Sequence, residues 1–148
     1  MAIRADFYMI AGKPQFVAQP LLVVCSLAVK ALAANQPCLI FCESAEQADF
    51  LDDLLWEFDG DAFVPHQIVG ADEDEVDEYD EITPVLLVPP GVETPMRGLV
   101  INLRATLPPE GYARVLEIVP ADESARGTAR QRWQEYKKLG FEVTKHDL

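Results

Sequence analysis

The sequence predicts a single α/β domain, in which helices are layered against a β-sheet. The chain begins with a strand–helix–strand–helix pattern, which is typical of α/β architectures. Its 148 residues suffice for one hydrophobic core. The apolar fraction of 49% excludes a disordered chain, although the net charge is −13. We find no internal repeat and no linker, so residues 1–148 are expected to form one domain.

The first half of the chain contains the two strand–helix pairs. Residues 5–10 have the aromatic and apolar content of a strand. A proline followed by apolar residues at helical spacing predicts a helix over residues 20–35. Residues 38–42 form a short continuous apolar run, which is typical of a strand covered on both faces. Ser44 and Gln47 have the spacing of a capping box, which predicts the start of the second helix.

The second half adds three strands, a long helix and a last strand. Apolar runs predict strands over residues 84–88, 99–103 and 115–119. A helix is predicted over residues 122–139, because a glycine, which is typical of helix ends, follows it. Residues 141–145 are expected to form the last strand.

Charge is unevenly distributed along the chain. No lysine or arginine lies between Lys30 and Arg97, whereas seventeen acidic residues do. Within this stretch, residues 71–82 are predicted to form an acidic surface loop, because like charges repel one another. Residues 126–148 reverse the balance, with six basic and three acidic residues. A basic end on an acidic chain favours a short acidic peptide as partner over a nucleic acid, and the alternative is a merely solvated helix face.

The sequence lacks the motifs of nucleotide, metal and catalytic sites. Neither a GxGxxG nor a GxxxxGK[ST] motif is present, and the acidic stretch lacks the glycine and glutamate of a calcium loop. The two histidines have no cysteine or carboxylate at zinc spacing. We therefore expect no cofactor, no metal ion and no catalytic residue. A nucleotide-binding enzyme of the α/β class is the alternative, which thermal-shift screening with nucleotides would reveal.

Three further features bear on where the protein resides. No apolar run reaches the ~18 residues of a membrane-spanning helix. The N-terminus has no apolar stretch long enough for a signal peptide. Of the three cysteines, Cys38 and Cys42 lie in an apolar run. We therefore expect a cytoplasmic protein without membrane contact, whose thiols are buried and reduced.

The last predicted helix carries a cationic stripe beside a tryptophan. At about 100° per residue, four side chains lie within an arc of about 60°: Arg126, Arg130, Trp133 and Lys137. Guanidinium groups bind carboxylates through two hydrogen bonds, and a tryptophan supplies an apolar wall or a cation–π partner. The stripe suits a peptide that is both acidic and hydrophobic, and the alternative is that Trp133 only covers the edge of the sheet. The buried face of this helix is expected to contain Ala125, Ala129, Tyr136 and Leu139.

A second group of aromatic and apolar residues surrounds a predicted turn. The group consists of Trp56, Phe58, Phe63, Val64 and Pro65. Aromatic residues are enriched at protein interfaces. The group is expected to form an interface or, alternatively, a lid that folds back onto the core.

Five segments of the sequence are distinctive in their order and spacing: Asp-Phe-Tyr (6–8), Leu-Asp-Asp-Leu-Leu-Trp (51–56), Phe-Val-Pro-His (63–66), Ile-Asn-Leu-Arg (101–104) and Arg-Gln-Arg-Trp-Gln-Glu-Tyr (130–136), the last leading to Gly-Phe (140–141). Together they resemble the chi subunit of bacterial DNA polymerase III, an accessory of the clamp-loader complex. Their order and spacing carry the resemblance, which covers nearly the whole chain. It implies a non-catalytic protein with a three-layer Rossmann-like fold, a mostly parallel mixed sheet and no nucleotide-binding loops.

The resemblance also implies partners. Chi proteins bind the C-terminal tail of single-stranded DNA-binding protein (SSB), an acidic segment that ends in an apolar residue with a free carboxylate. They also bind the psi subunit, which tethers them to the clamp loader, and alternatively a DinG-like DNA-repair helicase. The implied function is a bridge between the polymerase machinery and SSB, in which contact with DNA is indirect.

The resemblance also implies which residues of this sequence form the tail pocket and the surface for psi or the helicase. The tail pocket maps to the last helix and two apolar walls, namely Arg130, Trp133, Gln134, Phe63 and Val119. Gln134 departs from the family, in which a lysine can stand at this position, and Arg126 or Lys137 is expected to compensate for the missing charge. The surface for psi or the helicase maps to Trp56, Phe63, Val64, Pro65 and His66.

Overall fold

The order of strands and helices follows most of the predicted elements. The computed structural model describes residues 3–58, 63–70 and 83–148. The described elements are β1 (Arg4–Met9), α1 (Pro14–Ala18), α2 (Leu21–Ala33), β2 (Cys38–Phe41), α3 (Ala45–Glu57), β3 (His66–Ile68), β4 (Val85–Val88), β5 (Leu99–Asn102), β6 (Arg114–Val119), α4 (Glu123–Lys138) and β7 (Glu142–Asp147). The sequence did not predict α1 and β3, because such short elements show no periodic pattern. The predicted acidic loop, residues 71–82, lies outside the described residues.

The described strands form one sheet with the order β3–β4–β2–β5–β6–β1–β7. Every hydrogen-bonded pair of strands is parallel. The predicted α/β fold is therefore confirmed, and the sheet differs from the expected mixed one in being parallel throughout its described strands. Parallel strands that follow one another in the chain need crossover connections, and α2, α3 and α4 lie in those from β1 to β2, β2 to β3 and β6 to β7.

Helices cover both faces of the sheet and produce three layers. On one face, α2 and α3 pack over a core that includes Leu51 and Leu55. On the other face, α4 contributes Ala129 and Tyr136 to a second core. The strands β2, β4 and β5 are buried along their whole length, which explains why their sequences are continuous apolar runs.

Helix α3 begins where the sequence predicts it. The Ser44 hydroxyl accepts a hydrogen bond from the backbone N–H of Gln47 at 3.0 Å, which satisfies one of the N–H groups that a helix start leaves free. The Gln47 side chain in turn accepts a hydrogen bond from the backbone N–H of Glu43 at 2.8 Å. The helix buries one apolar face against the sheet and leaves Trp56, in its last turn, exposed.

Helix α4 begins after an aspartate cap and ends before a glycine. The Asp122 carboxylate accepts a hydrogen bond from a backbone N–H of the first turn at 3.0 Å. Gly140 adopts a φ of 84°, a left-handed conformation that favours glycine after a helix end. The predicted buried face is confirmed for Ala129 and Tyr136. Leu139, which was expected on that face, is instead 58% exposed at the C-cap of the helix.

A buried carboxylate fixes α4 on the sheet. Glu117 in β6 has no exposed surface, and its carboxylate accepts hydrogen bonds from Arg132 Nε at 2.9 Å and Tyr136 Oη at 2.6 Å. Asn102 in β5 donates a further hydrogen bond from Nδ2 at 2.8 Å. Burial raises the pKa of the Glu117 carboxyl, whereas the Arg132 charge and the hydrogen bonds act in the opposite direction. The network joins β5, β6 and α4, and thereby sets the rotation of the helix that carries the cationic stripe.

We expect the three cysteines to be unreactive in the folded protein. Cys25, Cys38 and Cys42 are free and buried, and desolvation raises the pKa of each thiol to about 12. Because the thiolate is the reactive form, a chromogenic thiol reagent at neutral pH should label none of them until a denaturant unfolds the chain. The measurement is the labelling rate with and without denaturant. Rapid labelling of the folded protein would contradict the buried placement.

Candidate functional site

A pocket of about 440 Å³ lies between α4, β7 and the sheet beneath them, and is termed the α4–β7 pocket. Helix α4 forms one wall, β7 the other, and β1 and β6 the floor. The lining residues are Phe7, Met9, Val119, Arg126, Ala129, Arg130, Trp133, Gln134 and Lys145.

Strand alternation gives this pocket an apolar floor. Phe7 and Met9 lie on the face of β1 under α4, and Val119 is paired with Met9 in the neighbouring β6. The Phe7 ring packs against Trp133 on α4, with ring centroids 5.0 Å apart. Trp133 is half-buried, so part of the ring covers the sheet and part lines the pocket. Trp133 thus covers the sheet, as one of its two predicted roles requires, and its role in binding a peptide stays a prediction.

Two arginines of α4 line the pocket without an ion pair to any described residue. Arg130 is exposed, and the ion pairs within the described part of the chain involve neither Arg130 nor Arg126. The Nε atom of Arg126 is buried and has no hydrogen-bond partner among the described residues. A buried donor without a partner costs about 1–3 kcal/mol, which a bound acceptor would recover. The pocket therefore offers unpaired cationic donors above an apolar floor.

The opposite wall of the pocket carries a third cation, Lys145 in β7. Lys145 is paired with Phe7 in the neighbouring β1, so both side chains lie on the face beneath α4. The Lys145 Nζ atom lies 3.7 Å from the Asp147 carboxylate, and both side chains are exposed. Exposed ion pairs of this kind are weak, so Lys145 adds to the positive charge around the pocket.

Five of the seven residues predicted for the tail pocket line the α4–β7 pocket: Val119, Arg126, Arg130, Trp133 and Gln134. Lys137 is not among the lining residues. Its ammonium lies 5.5 Å from the centre of the Trp133 ring, which is within the range of a cation–π interaction. Lys137 thus contacts the tryptophan of the pocket from outside.

Phe63 does not line the pocket, which corrects its prediction as an apolar wall. It precedes β3 at one edge of the sheet, whereas the pocket lies at the β7 edge. Strands spaced about 4.8 Å apart place β3 and β7 roughly 29 Å from each other. Phe7 and Met9 supply the apolar surface expected from Phe63.

Phe63 instead belongs to a second exposed apolar surface at the β3 edge, termed the Trp56–Phe63 surface. Trp56 is 55% exposed and Phe63 66% exposed, and their ring centroids lie 5.8 Å apart. Asp53, exposed one helical turn before Trp56, places negative charge beside these rings. Of the two predicted alternatives, an interface or a lid on the core, the exposure of both rings favours the interface.

Val64 and His66 support this surface from below. Val64 is 2% exposed and belongs to the core, and the His66 side chain is fully enclosed. The His66 Nδ1 atom lies 2.6 Å from the Val64 carbonyl oxygen, and Nε2 lies 3.0 Å from the Asp52 carboxylate. The His66 ring lies 4.9 Å from the Trp56 ring. Val64 and His66 were expected to contact a partner, but their buried side chains are instead placed to position Trp56. Pro65, also expected to contact a partner, is half-buried.

Four residues of the α4–β7 pocket were not predicted from the sequence as site residues: Phe7, Met9, Ala129 and Lys145. The alternation of β1 would place Phe7 and Met9 on one face, and that of β7 would expose Lys145. Neither signal shows that β1 lies between β6 and β7, because the order of strands in a sheet is not a local property of the sequence.

A second pocket, of about 290 Å³, lies at the carboxyl ends of β2, β5 and β6, where many α/β proteins bind nucleotides. Arg104 at this edge donates hydrogen bonds to the carbonyl oxygens of Cys42 and Val88, at 2.8 and 2.9 Å. Arg132, which also lines the pocket, is bound to Glu117. These arginines therefore stabilise strand ends and α4. The loop after β1 contains one glycine and a proline, which is unlike a phosphate-binding loop.

Within residues 3–58, 63–70 and 83–148, no group of three or more His, Cys, Asp or Glu side chains is arranged to hold a metal ion. None of the helices in this part of the chain is both long and apolar enough to cross a membrane.

Among solved structures, the chain resembles domains of DEAD-box proteins. It superimposes on the C-terminal domain of the DEAD-box protein Dbp5 with a TM-score of 0.63 and 15% sequence identity, over 99% of this chain and 91% of that one. It superimposes on S. cerevisiae Dbp5 bound to RNA and ADP BeF3 with a TM-score of 0.64 and 16% identity, over 99% and 42% of the two chains. At such low identity, the likeness shows the fold alone.

Sequence comparison identifies relatives that match over most of their length. The DNA polymerase III subunit chi of Pseudomonas aeruginosa is 33% identical over 98% of this chain and 96% of that protein. The subunit chi of Haemophilus influenzae is 28% identical over 100% of this chain and 99% of that protein. The subunit chi of Escherichia coli is 28% identical over 82% of this chain and 80% of that protein. The family model for the DNA polymerase III chi subunit, HolC, matches residues 2–144. The chain therefore belongs to the family of the DNA polymerase III chi subunit.

Proposed function

We propose that this chain is a non-catalytic replication accessory protein that bridges the polymerase III clamp loader and SSB. The α4–β7 pocket binds the acidic C-terminal tail of SSB, and the Trp56–Phe63 surface binds the psi subunit. Contact with DNA is indirect, through SSB. The observation that carries this proposal is that Arg126 and Arg130, above the apolar floor of the pocket, have no ion-pair partner among the described residues.

The two parts of the pocket match the two parts of the tail. The apolar terminal side chain packs on the floor, which includes Met9 and Val119, and against Trp133 of the α4 wall. The terminal carboxylate accepts two parallel hydrogen bonds from the Arg130 guanidinium at the rim. The buried Nε of Arg126 gains an acceptor from the same segment. An acidic peptide with an apolar end therefore satisfies both the charge and the hydrophobic surface of the pocket.

The charge distribution directs such a tail to one end of the molecule. The chain carries a net charge of −13, while residues 126–148 contain six basic and three acidic residues. An acidic tail is repelled by most of the surface and attracted to the region of α4 and β7. The attraction weakens at high ionic strength, because salt screens exposed charges.

The separation of the two surfaces permits two partners to bind at once. The α4–β7 pocket lies at one edge of the sheet and the Trp56–Phe63 surface at the other. Tethering by psi then raises the effective concentration of the polymerase near SSB without a strong single contact. A DinG-like helicase is the alternative partner for the Trp56–Phe63 surface, and it would compete with psi for the same rings.

Calorimetric titration with a synthetic SSB-tail peptide tests the proposal. We expect saturable binding of one peptide per chain, which weakens as salt is added and when the terminal carboxylate is amidated. A peptide of the same composition in scrambled order serves as control. Absence of binding at low salt, or equal binding of the scrambled peptide, would contradict the proposed function.

Trp56→Ala is expected to weaken psi binding by at least about 1 kcal/mol, roughly fivefold, while tail binding is unchanged. The reason is that Trp56 is an exposed aromatic side chain at the β3 edge, far from the α4–β7 pocket. The measurement is calorimetry with purified psi and, separately, with the tail peptide. The matched control is Phe50→Ala, which removes another exposed aromatic ring of α3. If Trp56→Ala weakens both interactions, the residue is structural and the assignment of this surface is wrong.

A further inference from the structure

Lys145 is the one lining residue of the α4–β7 pocket that reaches it from β7. The strand register pairs it with Phe7, which packs against Trp133 of α4. A peptide that lies in the pocket therefore has the arginines of α4 on one side and Lys145 on the other. Cations on both walls can contact different acidic groups of one bound segment.

The charge of Lys145 is available to a ligand. Within the described residues its ion-pair partner is Asp147, at 3.7 Å, and the two side chains are 53% and 76% exposed. An exposed pair at this distance contributes little, so an acidic ligand can replace it. Gln134, which lines the pocket from α4, is neutral, so Lys145 supplies from the opposite wall a charge that α4 lacks at that position.

The chemistry of the two kinds of cation separates their roles. A guanidinium is a planar fork that matches one carboxylate through two hydrogen bonds, which suits the fixed terminal carboxylate. An ammonium is a point charge on a flexible stem, which suits an acidic side chain whose position varies.

We propose that Lys145 is a specificity-determining residue of the pocket, whose ammonium pairs with an acidic side chain that precedes the terminal residue of the bound segment. This inference rests on the proposed binding of an acidic tail. In this arrangement, Lys145 of β7 selects acidic residues that precede the end of the bound segment. The arginines of α4 recognise its terminal carboxylate.

Two synthetic peptides test the proposal by calorimetry at low salt. In one peptide, consecutive aspartates precede apolar residues and a free terminal carboxylate; in the other, asparagines replace the aspartates. Lys145→Met keeps the apolar stem and removes the charge. It is expected to weaken binding of the aspartate peptide about two- to fivefold and to leave the asparagine peptide unchanged. Lys145→Arg should retain the preference.

The matched control is Lys138→Met, which removes an exposed cation of α4 outside the pocket lining and should change neither affinity. Asp147→Asn removes the competing carboxylate and is expected to strengthen binding of the aspartate peptide by up to about twofold. If Lys145→Met weakens both peptides equally, or neither, while the unsubstituted chain binds the aspartate peptide, the role of Lys145 is wrong and the proposed function stands. If the unsubstituted chain binds neither peptide, both proposals fail.

Discussion

Replacement of Glu117 by alanine is expected to lower the free energy of unfolding by about 3–5 kcal/mol. The substitution leaves the Arg132 side chain, only 10% exposed, without its carboxylate partner. It also removes the acceptor of the Tyr136 hydroxyl and one of the two acceptors of the Asn102 amide, which keeps its hydrogen bond to the Thr106 carbonyl. Urea denaturation, followed by circular dichroism, measures the change.

Two further variants make this result interpretable. Glu142→Ala removes an exposed carboxylate from β7 and should change the unfolding free energy by less than about 0.5 kcal/mol. Combining Glu117→Ala with Arg132→Met removes both buried charges, and should recover part of the loss. A loss for Glu117→Ala as small as that for Glu142→Ala would show that the network does not hold α4 on the sheet.

The second large effect concerns binding. We expect Arg130→Ala to weaken binding of the SSB-tail peptide by about 1.5–3 kcal/mol, which corresponds to roughly 10- to 150-fold. Arg130 is exposed at the rim of the pocket and has no ion pair among the described residues, so its removal costs ligand contacts and little stability. Calorimetry gives the affinity, and thermal unfolding confirms that the fold is unchanged.

A second substitution separates the contribution of the planar guanidinium of Arg130 from that of its positive charge. Arg130→Lys retains the charge without the planar fork, so its affinity should fall between those of the unsubstituted chain and Arg130→Ala. When the terminal carboxylate of the peptide is amidated, the unsubstituted chain and Arg130→Ala should bind it with nearly equal affinity. Unchanged affinity of Arg130→Ala would mean that the tail binds elsewhere.

Elements with strong local signals were predictable from the sequence. The hydroxyl of Ser44 caps α3, and the left-handed Gly140 follows α4, because each feature depends only on neighbouring residues. The buried strands were predictable from continuous apolar runs, since both of their faces lie in a core. In contrast, β3 has only three residues, all half-buried, and leaves no pattern.

The site was predictable only in the part that one helix carries. Helical geometry placed Arg126, Arg130 and Trp133 together, and they do line one pocket. The assignment of Phe63 was wrong because it required the order of strands, which depends on contacts between distant parts of the chain. Lys145 was missed for the same reason, since only the pairing of β7 with β1 brings it beneath α4.

The most direct test of the account uses the chain's two tryptophans, because one lies in each proposed binding surface. In a nitrogen–proton correlation spectrum, each indole N–H gives a separate signal, which substitution of each tryptophan by phenylalanine assigns. Addition of the SSB-tail peptide should shift the signal of Trp133 and leave that of Trp56 in place. A shift confined to Trp56, or the absence of a shift at Trp133 when the peptide is saturating, would contradict binding of the tail at the α4–β7 pocket.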